Sequence, residues 1–217
     1  KGAKIIVADP RKIELVDLAC IWLNLRPGTN IALLNGMMNV ILCEGLEDSD
    51  FIAGRTEGFE ELRKVVMEYP PHLASKITGV AEEDIIKAAR LYAKAEKAMI
   101  IYSLGITEHI TGTANVMSIG NLAMLTGNVA RRSTGVMPLR GQNNVQGACD
   151  MGCLVNFYPA YQRVADEAAR AKFLDAWGSV GSLQNGITVV EMLNAAETGK
   201  LKALYVVGEN PFMTDPD

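Results

Sequence analysis

One stretch of the chain, Pro138-Leu-Arg-Gly-Gln-Asn-Asn-Val-Gln-Gly-Ala-Cys-Asp-Met-Gly152, differs in composition from the rest. It combines one arginine with two glutamines and two asparagines between glycines, and few of its residues favour a regular helix or strand. Glycine lets the backbone bend sharply or approach a ligand closely. The amides and the Arg140 guanidinium supply hydrogen-bond donors and acceptors. We interpret the stretch as a loop that binds a polar ligand carrying phosphates or a carboxylate; an ordinary surface loop is the alternative.

The rest of the chain has the composition of a folded protein. Its 217 residues, 49% of them apolar, suffice for one domain or two small ones with ample core. A net charge of -4 argues against a nucleic-acid partner, and no apolar run is long enough to span a membrane. The four cysteines are scattered, which is typical of a reducing compartment, so we expect a cytoplasmic protein.

Both ends of the sequence fall beside predicted strands. Lys1 stands almost directly before an apolar run, with neither an initiator methionine nor a targeting segment. Asp217 comes soon after another strand-and-turn unit. We therefore expect the chain to be an internal piece of a longer polypeptide.

Short apolar runs, each followed by a polar turn, predict buried parallel strands. They are Lys4–Ala8, Ala98–Tyr102 and Leu201–Val207, with Ile21–Leu25 as a further strand. Segments with helical periodicity separate them, which predicts an α/β fold with dinucleotide-binding-like parallel sheets flanked by helices. We predict parts of two such domains, residues 1–142 and 143–217.

Helical periodicity and capping signals place the helices. Thr29 or Asn30 is expected to start a helix that reaches Cys43 and carries one apolar face. Thr188 and Glu191 form a capping-box pattern at the start of another. One further predicted helix begins at Thr56, and three others span residues 82–95, 113–126 and 165–177. Residues 128–135 are polar and predict irregular backbone leading into the arginine- and amide-rich stretch.

Polar residues follow the predicted strands at their carboxyl ends. In open α/β sheets ligands bind at that edge, where an acidic residue commonly accepts hydrogen bonds from ribose hydroxyls. Asp9, before Pro10, fits this description, although the motif alone favours a plain Asp-Pro turn. The segment Gly208–Pro211 follows the last predicted strand with a similar combination of acidic residue, amide and proline. Two such edges suggest two similar nucleotide sites.

The histidines and cysteines do not form a metal-binding pattern. His72 stands beside two prolines and is interpreted as a surface or helix-start residue. His109 follows a predicted strand end; a structural role is the commoner one, and a titratable neighbour of a ligand is the alternative. Cys149 and Cys153 would need a second pair to complete a zinc or iron–sulfur site, and the sequence has none. We therefore predict no metal ligand in this chain.

The stretch Arg140–Gly152 resembles the signature of formate dehydrogenase catalytic subunits in the molybdopterin oxidoreductase family. Further segments fit the same family in the same order: Val7–Arg11, Gly28–Leu33, Phe51–Glu60, Leu104–Glu108, Leu122–Asn128 and Gly208–Pro211. Several motifs in the right order are far more specific than one glycine-rich loop. The resemblance implies oxidation of formate to carbon dioxide at a molybdenum or tungsten centre held by bis(molybdopterin guanine dinucleotide).

The resemblance also assigns residues to this cofactor. Asp9, Arg11, Gly28 and Asn30 match positions that hold the guanosine end of one dinucleotide, where a helix N-terminus would favour phosphates. The other matching positions are Leu104, Gly105, Glu108, Gln142, Gly208, Glu209, Asn210 and Thr214. The family's 4Fe-4S cluster and its selenocysteine or cysteine metal ligand belong to a preceding segment, and electron-transfer subunits are its partners. This piece alone is therefore expected to lack redox activity.

Arg140 is the residue that the resemblance assigns to the substrate. Formate is a small planar carboxylate, and arginine matches it with two parallel hydrogen bonds. A nitrate-reductase-like relative is an alternative, since it shares the nucleotide edges but differs around Arg140. A non-catalytic subunit with this fold is a second alternative, although such a subunit has no need for the arginine- and amide-rich loop. The sequence leaves open the metal, the electron acceptor and the physiological direction.

Overall fold

The computed structural model describes residues 2–182 and 184–214, which form two compact units, residues 1–141 and 142–217. The first unit contains parallel strands and most of the helices, and the second contains a short antiparallel strand pair and further helices. The assignment of the two units to two dinucleotide-binding domains stays a prediction.

Two pairs of parallel strands organise the first unit. β1 (Ile6–Ala8) pairs with β2 (Ile21–Leu23), and β3 (Met99–Tyr102) pairs with β4 (Gly135–Pro138). The mixed α/β fold with parallel strands is therefore confirmed. In each pair the carboxyl ends of both strands lie at the same edge, because the strands run in the same direction.

The second strand pair differs from the sequence prediction in two respects. Ile101 on β3 keeps 58% of its surface exposed, so this strand is covered on only one face within the first unit. β4 itself was not predicted, because glycine and proline stand at its ends and are depleted in strands. Proline is tolerated there because β4 is an edge strand, and the Tyr102 carbonyl opposite Pro138 accepts from the Leu139 N–H instead.

The helix α1 (Asn30–Cys43) is the centre of the first unit's core. It is buried on nearly every side, and Met38 and Ile41 are fully enclosed. Such all-round burial is typical of a helix surrounded by other elements. The helices that pack against it are α3 (Phe59–Met67), α4 (Pro71–Thr78), α5 (Glu82–Ala93) and α7 (Gly112–Leu125). Its predicted bounds agree with the structure.

The α1 and α4 helices approach closely at a glycine. A Cβ atom added at Gly36 would lie 2.5 Å from the Cβ of Ala74, which is fully buried. Real Cβ atoms do not come this close, so the contact requires glycine at this position.

The predicted helix start at Thr56 is wrong. Thr56 follows α2 (Ser49–Arg55), and its Oγ1 donates a hydrogen bond to the Ile52 carbonyl at 2.8 Å. The next helix begins after Gly58, whose φ of 72° breaks the helical path between the two. Asp48 provides the cap for α2, since its Oδ1 accepts from the Phe51 N–H at 2.9 Å.

The second unit has a small aromatic core. Its elements are α8 (Val145–Asp150), β5 (Phe157–Tyr158), β6 (Gln162–Arg163), α9 (Glu167–Trp177), α10 (Val189–Glu197) and α11 (Pro211–Thr214). The Tyr158 and Phe173 rings stack with centroids 4.7 Å apart, and Trp177 packs on both. The predicted capping box at Thr188 and Glu191 is present.

Two predictions for this unit fail. Residues Leu201–Val207 form no strand, and Tyr205 is 94% exposed. A strand needs a partner for its N–H and C=O groups, and in the part of the chain that the structure describes no strand runs beside this segment. The stretch after Arg140 is also not an irregular loop throughout, because α8 forms within it.

We expect Gly36→Ala to lower the free energy of unfolding by about 1–3 kcal/mol, since the methyl group overpacks the α1–α4 contact. Gly120→Ala in α7 is the matched control, because nothing lies within 4 Å of the added Cβ. That variant should be neutral or stabilising by up to ~1 kcal/mol through helix propensity. Urea unfolding of both variants measures the difference; equal stability would contradict the close approach.

Tyr92 on α5 should link folding stability to alkaline pH. Burial raises the pKa of Tyr92 to about 12, and the nearby Thr126 side chain offsets this only in part. The buried hydroxyl has no well-formed hydrogen bond to the described residues. The raised pKa favours the neutral phenol in the folded state. The contribution of Tyr92 to the free energy of unfolding is therefore fully present below pH ~10 and is lost as the pH rises towards ~12. Phenolate absorbance titrations of wild type and Tyr92→Phe should differ by one late-titrating tyrosine.

Candidate functional site

The predicted residue Asp9 lies at the carboxyl end of β1, in a turn tied to the neighbouring strand. Its Oδ1 accepts a hydrogen bond from the Arg11 N–H at 2.7 Å. The Asp9 carbonyl accepts from Trp22 Nε1 on β2 at 2.9 Å. These bonds keep Asp9 and Arg11 together at the sheet edge. Sequence reasoning missed Trp22, because nothing local links an indole on one strand to a turn on another.

The turn after β2 is anchored by Arg26. Its side-chain Nη1 donates to the carbonyls of Lys76 at 3.1 Å and Ile77 at 3.3 Å. Its backbone N–H donates to the Thr78 carbonyl at 2.8 Å. These carbonyls belong to the C-terminal turn of α4, where a cation is favoured by the helix dipole. Arg26 therefore fixes the start of the turn that leads to Gly28. Its partners lie some fifty residues away, so no sequence signal pointed to it.

The turn delivers the N-terminus of α1 to the same edge. Gly28 has a φ of 83°, which glycine adopts without strain. Thr29 does not cap the helix, because its Oγ1 donates to the Arg26 carbonyl at 2.6 Å. The first N–H groups of a helix have no partner within the helix and attract anions. The N-terminus of α1, beginning at Asn30, is thus suited to a phosphate.

The second edge carries Arg140. The Leu139 N–H donates to the Tyr102 carbonyl at 2.8 Å, and Ser103 Oγ donates to the Leu139 carbonyl at 2.9 Å. These bonds extend the β3–β4 pairing to the residue just before Arg140. The Arg140 side chain is exposed. The Arg140 backbone leaves the sheet next to Ser103, where the chain enters the turn after β3.

That turn contains the predicted residues Leu104, Gly105 and Glu108. Leu104–Thr107 form one helical turn, α6, and the Glu108 N–H closes it on the Leu104 carbonyl at 2.9 Å. Buried Asn115 on α7 donates through Nδ2 to the Ile106 carbonyl at 2.9 Å. The turn is thus fixed against α7, with Leu104, Gly105 and Glu108 exposed.

His109 connects the two edges. Its Nε2 lies 2.9 Å from the Gly105 carbonyl oxygen and 3.5 Å from Asn30 Nδ2. The structure therefore brings together Asn30, predicted for one dinucleotide, and Gly105, predicted for the other. No sequence pattern connects them, because Asn30 and His109 are 79 residues apart.

The remaining predicted residues belong to the second unit. Gln142 is exposed at its beginning. Gly208, with a φ of 71°, and Glu209 lead into α11. There the Asn210 carbonyl accepts from the Thr214 N–H at 3.2 Å and from Thr214 Oγ1 at 3.0 Å. Gly208, Glu209, Asn210 and Thr214 therefore form one local cluster at the start of α11.

Two cavities lie elsewhere in the first unit. They measure about 560 and 440 Å³ and are lined chiefly by α2, α3 and α7. None of the predicted site residues lines them. We therefore locate the candidate site at the strand edges, on the basis of topology and hydrogen bonding.

The described part of the chain holds neither a cluster of metal ligands nor a membrane-spanning helix. Across residues 2–182 and 184–214, no group of three or more His, Cys, Asp or Glu side chains is arranged to hold a metal ion. Cys149 and Cys153 are free thiols. No helix in these ranges is both long and apolar enough to cross a membrane.

Comparison with known proteins identifies relatives for the whole chain. The family model described as molybdopterin oxidoreductase matches residues 1–217. The alpha subunit of an F420-dependent formate dehydrogenase from Methanocaldococcus jannaschii is 50% identical over 100% of this chain and 32% of that protein. Formate dehydrogenase H from Escherichia coli is 50% identical over 100% of this chain and 30% of that protein. The chain thus spans about a third of the length of these relatives.

One solved structure supports the fold. Acetylene hydratase from Pelobacter acetylenicus superposes with a TM-score of 0.59 and 36% sequence identity. The match covers 61% of this chain and 18% of that protein. The two proteins therefore share the fold over the matched part.

Arg26→Ala should lower the free energy of unfolding by about 1–2 kcal/mol, because carbonyls at the end of α4 lose their charged donor. Arg26→Lys should recover part of this loss, since lysine keeps the charge but not the planar group. Arg63→Ala is the control, as Arg63 is an exposed arginine on α3. Denaturant unfolding should leave that control near wild type; an equal loss in both variants would argue against the anchoring role.

Proposed function

The chain belongs to the molybdopterin oxidoreductase family, and we propose that it is the cofactor- and substrate-binding portion of a formate dehydrogenase. The activity belongs to a longer polypeptide, since the relatives named as formate dehydrogenases are about three times as long. The observation that carries the proposal is the position of Arg140. It follows β4 at the carboxyl edge of a parallel pair, directly beside the turn after β3.

The first edge fits one end of a molybdopterin guanine dinucleotide. Guanine presents N–H donors and its ribose presents hydroxyl donors, and both suit the Asp9 carboxylate as acceptor. Oδ1 of Asp9 already accepts from the Arg11 backbone, which orients the carboxylate and leaves Oδ2 for a ligand. The N-terminus of α1 suits the phosphates, with Gly28 letting the backbone come close. We assign Asp9, Arg11, Gly28 and Asn30 to this dinucleotide.

We assign the second dinucleotide to the turn after β3 and to the cluster before α11. Leu104, Gly105 and Glu108 offer backbone groups and a carboxylate at the second edge. The cluster in the second unit is made of Gly208, Glu209, Asn210 and Thr214, and Gln142 adds an exposed amide. Support for this assignment comes from family membership and from the likeness in sequence between Asp9–Pro10 and Glu209–Pro211.

Arg140 would bind and orient formate. The guanidinium can donate two parallel hydrogen bonds to the carboxylate, which holds the formate carbon in one orientation. The molybdenum or tungsten centre, when bound, supplies the acceptor for the two electrons. The balanced reaction converts formate to carbon dioxide, one proton and two electrons. Because the product is neutral, the attraction of Arg140 falls after oxidation, so the arginine acts mainly in capture and orientation.

The proposal includes the parts of the enzyme that complete electron transfer. A 4Fe-4S cluster and the cysteine or selenocysteine metal ligand would come from other segments of the longer chain, and electron-transfer subunits would accept the electrons. A cytoplasmic location agrees with the four free cysteines. A nitrate-reductase-like oxidoreductase is the second candidate; oxidation of formate, tested against reduction of nitrate, distinguishes the two.

Asp9→Ala in the full-length enzyme should reduce the bound dinucleotide, because one or two hydrogen bonds worth about 1–3 kcal/mol each are lost. Asn210→Ala should reduce it in the same direction at the other end. Asp175→Ala, an exposed carboxylate on α9, is the control. Guanine nucleotide released by acid from equal amounts of protein measures the occupancy. Full occupancy and normal retention in both site variants would refute the nucleotide assignments.

Arg140→Ala should lower kcat/KM for formate on the order of a hundredfold or more, since two charge-assisted hydrogen bonds of about 1.5–3 kcal/mol each are lost. Arg140→Lys should recover only part, and the KM should rise in both variants. Formate kinetics with metal content measured alongside provide the test, and Arg63→Ala is the control. Near-normal efficiency of Arg140→Ala at full metal loading would show that Arg140 is not the substrate residue.

A further inference from the structure

The turn after β3 is completed by a side chain instead of by the backbone. In a continuing helix the Gly105 carbonyl would accept a hydrogen bond from the His109 N–H. Here the His109 N–H donates to the Thr107 carbonyl at 3.0 Å, because α6 ends after one turn. The Gly105 carbonyl lies 2.9 Å from His109 Nε2. The imidazole thus takes the place of the missing helical donor.

The short distance to a carbonyl determines the role of this nitrogen. A carbonyl oxygen can only accept, so Nε2 carries the proton and donates it to Gly105. The Asn30 side-chain amide lies 3.5 Å from the same atom. Oxygen and nitrogen of an amide are assigned from the hydrogen-bond network, so the Asn30 oxygen in this position would accept from Nε2–H as well. One N–H then serves both Gly105 and Asn30.

The other side of the turn allows little adjustment. Asn115 holds the Ile106 carbonyl from α7 at 2.9 Å. A Cβ atom at Gly112 would collide with the Thr107 carbonyl oxygen, so α7 begins in direct contact with the turn. The half-buried His109 ring lies between this fixed turn and the N-terminus of α1.

We propose that His109 is a positioning residue whose Nε2–H locks the Gly105 turn to Asn30, and thereby holds the two dinucleotide-binding edges in one arrangement. This inference rests on the proposed function, which assigns Asn30 and Gly105 to the two dinucleotides. A preorganised site loses less conformational freedom when its ligand binds, so the ligand dissociates more slowly. His109 acts through these two neighbours and not through formate.

Three substitutions separate the hydrogen bond from the space that the ring fills. His109→Gln retains a side-chain N–H donor of similar reach. His109→Phe fills the space without a donor, and His109→Ala removes both. His72→Ala is the matched control, because His72 is the other histidine of the chain and lies exposed on α4.

The experiment measures cofactor dissociation from the full-length holoenzyme with its partner subunits. Each purified variant is diluted into an excess of apo-enzyme acceptor, and the guanine dinucleotide remaining on it is followed over time. We expect His109→Ala and His109→Phe to lose cofactor about tenfold faster than wild type, the size of one neutral hydrogen bond. His109→Gln should stay within about threefold and His72→Ala should match wild type. The KM for formate of the loaded fraction should be unchanged in His72→Ala.

The outcomes distinguish this inference from the function on which it rests. A wild-type holoenzyme without guanine dinucleotide would refute the proposed function. Wild-type retention in all three His109 variants would overturn only the role of His109. Slow loss from His109→Phe would show that the ring merely fills space. Equal lowering of the unfolding temperature in all three variants would make His109 a general folding residue and also overturn the inference.

Discussion

Parallel strand pairing is the constraint on which the candidate site depends. Because β1 and β2 run in the same direction, the turns that begin at Asp9 and at Arg26 leave the sheet at one edge. The β3–β4 pair does the same for Ser103 and Arg140. An antiparallel arrangement would have sent one member of each pair to the opposite end. Residues far apart in sequence become neighbours for this reason alone, before any side chain contributes.

The core of the first unit gives this edge its rigidity. The α1 helix starts at the edge and continues into the interior, where its middle is enclosed by four other helices. Buried Asn39 donates to the Val66 carbonyl at 3.1 Å, which adds a directional bond to the apolar packing. The close contact of Gly36 with α4 and the bonds of Arg26 to the end of the same helix fix α1, and the turn before it, to α4. A binding group placed at the end of such a helix has little freedom to move.

The sequence predicted features that depend on near neighbours and missed those that depend on distant ones. The bounds of α1 and the capping box at Thr188 follow from local patterns, and the structure agrees with both. Leu201–Val207 has the composition of a strand, but composition does not show whether a partner strand lies alongside. Trp22 bonds to a turn after another strand and His109 lies beside Asn30 of a distant helix, and periodicity carries no information about such contacts. The family motifs located the candidate residues but not the bonds that hold them.

The means by which Arg140 is held bears on how substrate and cofactor sites would work together. Its position is set by two hydrogen bonds at Leu139, whose N–H donates to the Tyr102 carbonyl and whose carbonyl accepts from Ser103 Oγ. Ser103 leads directly into α6, the turn assigned to a dinucleotide. Arg140 and that turn are therefore parts of one hydrogen-bonded edge, with no flexible linker between them. A shift of the turn would displace the Arg140 backbone in the same direction. Orientation of formate would then depend on how firmly the turn is held, and not on the guanidinium alone.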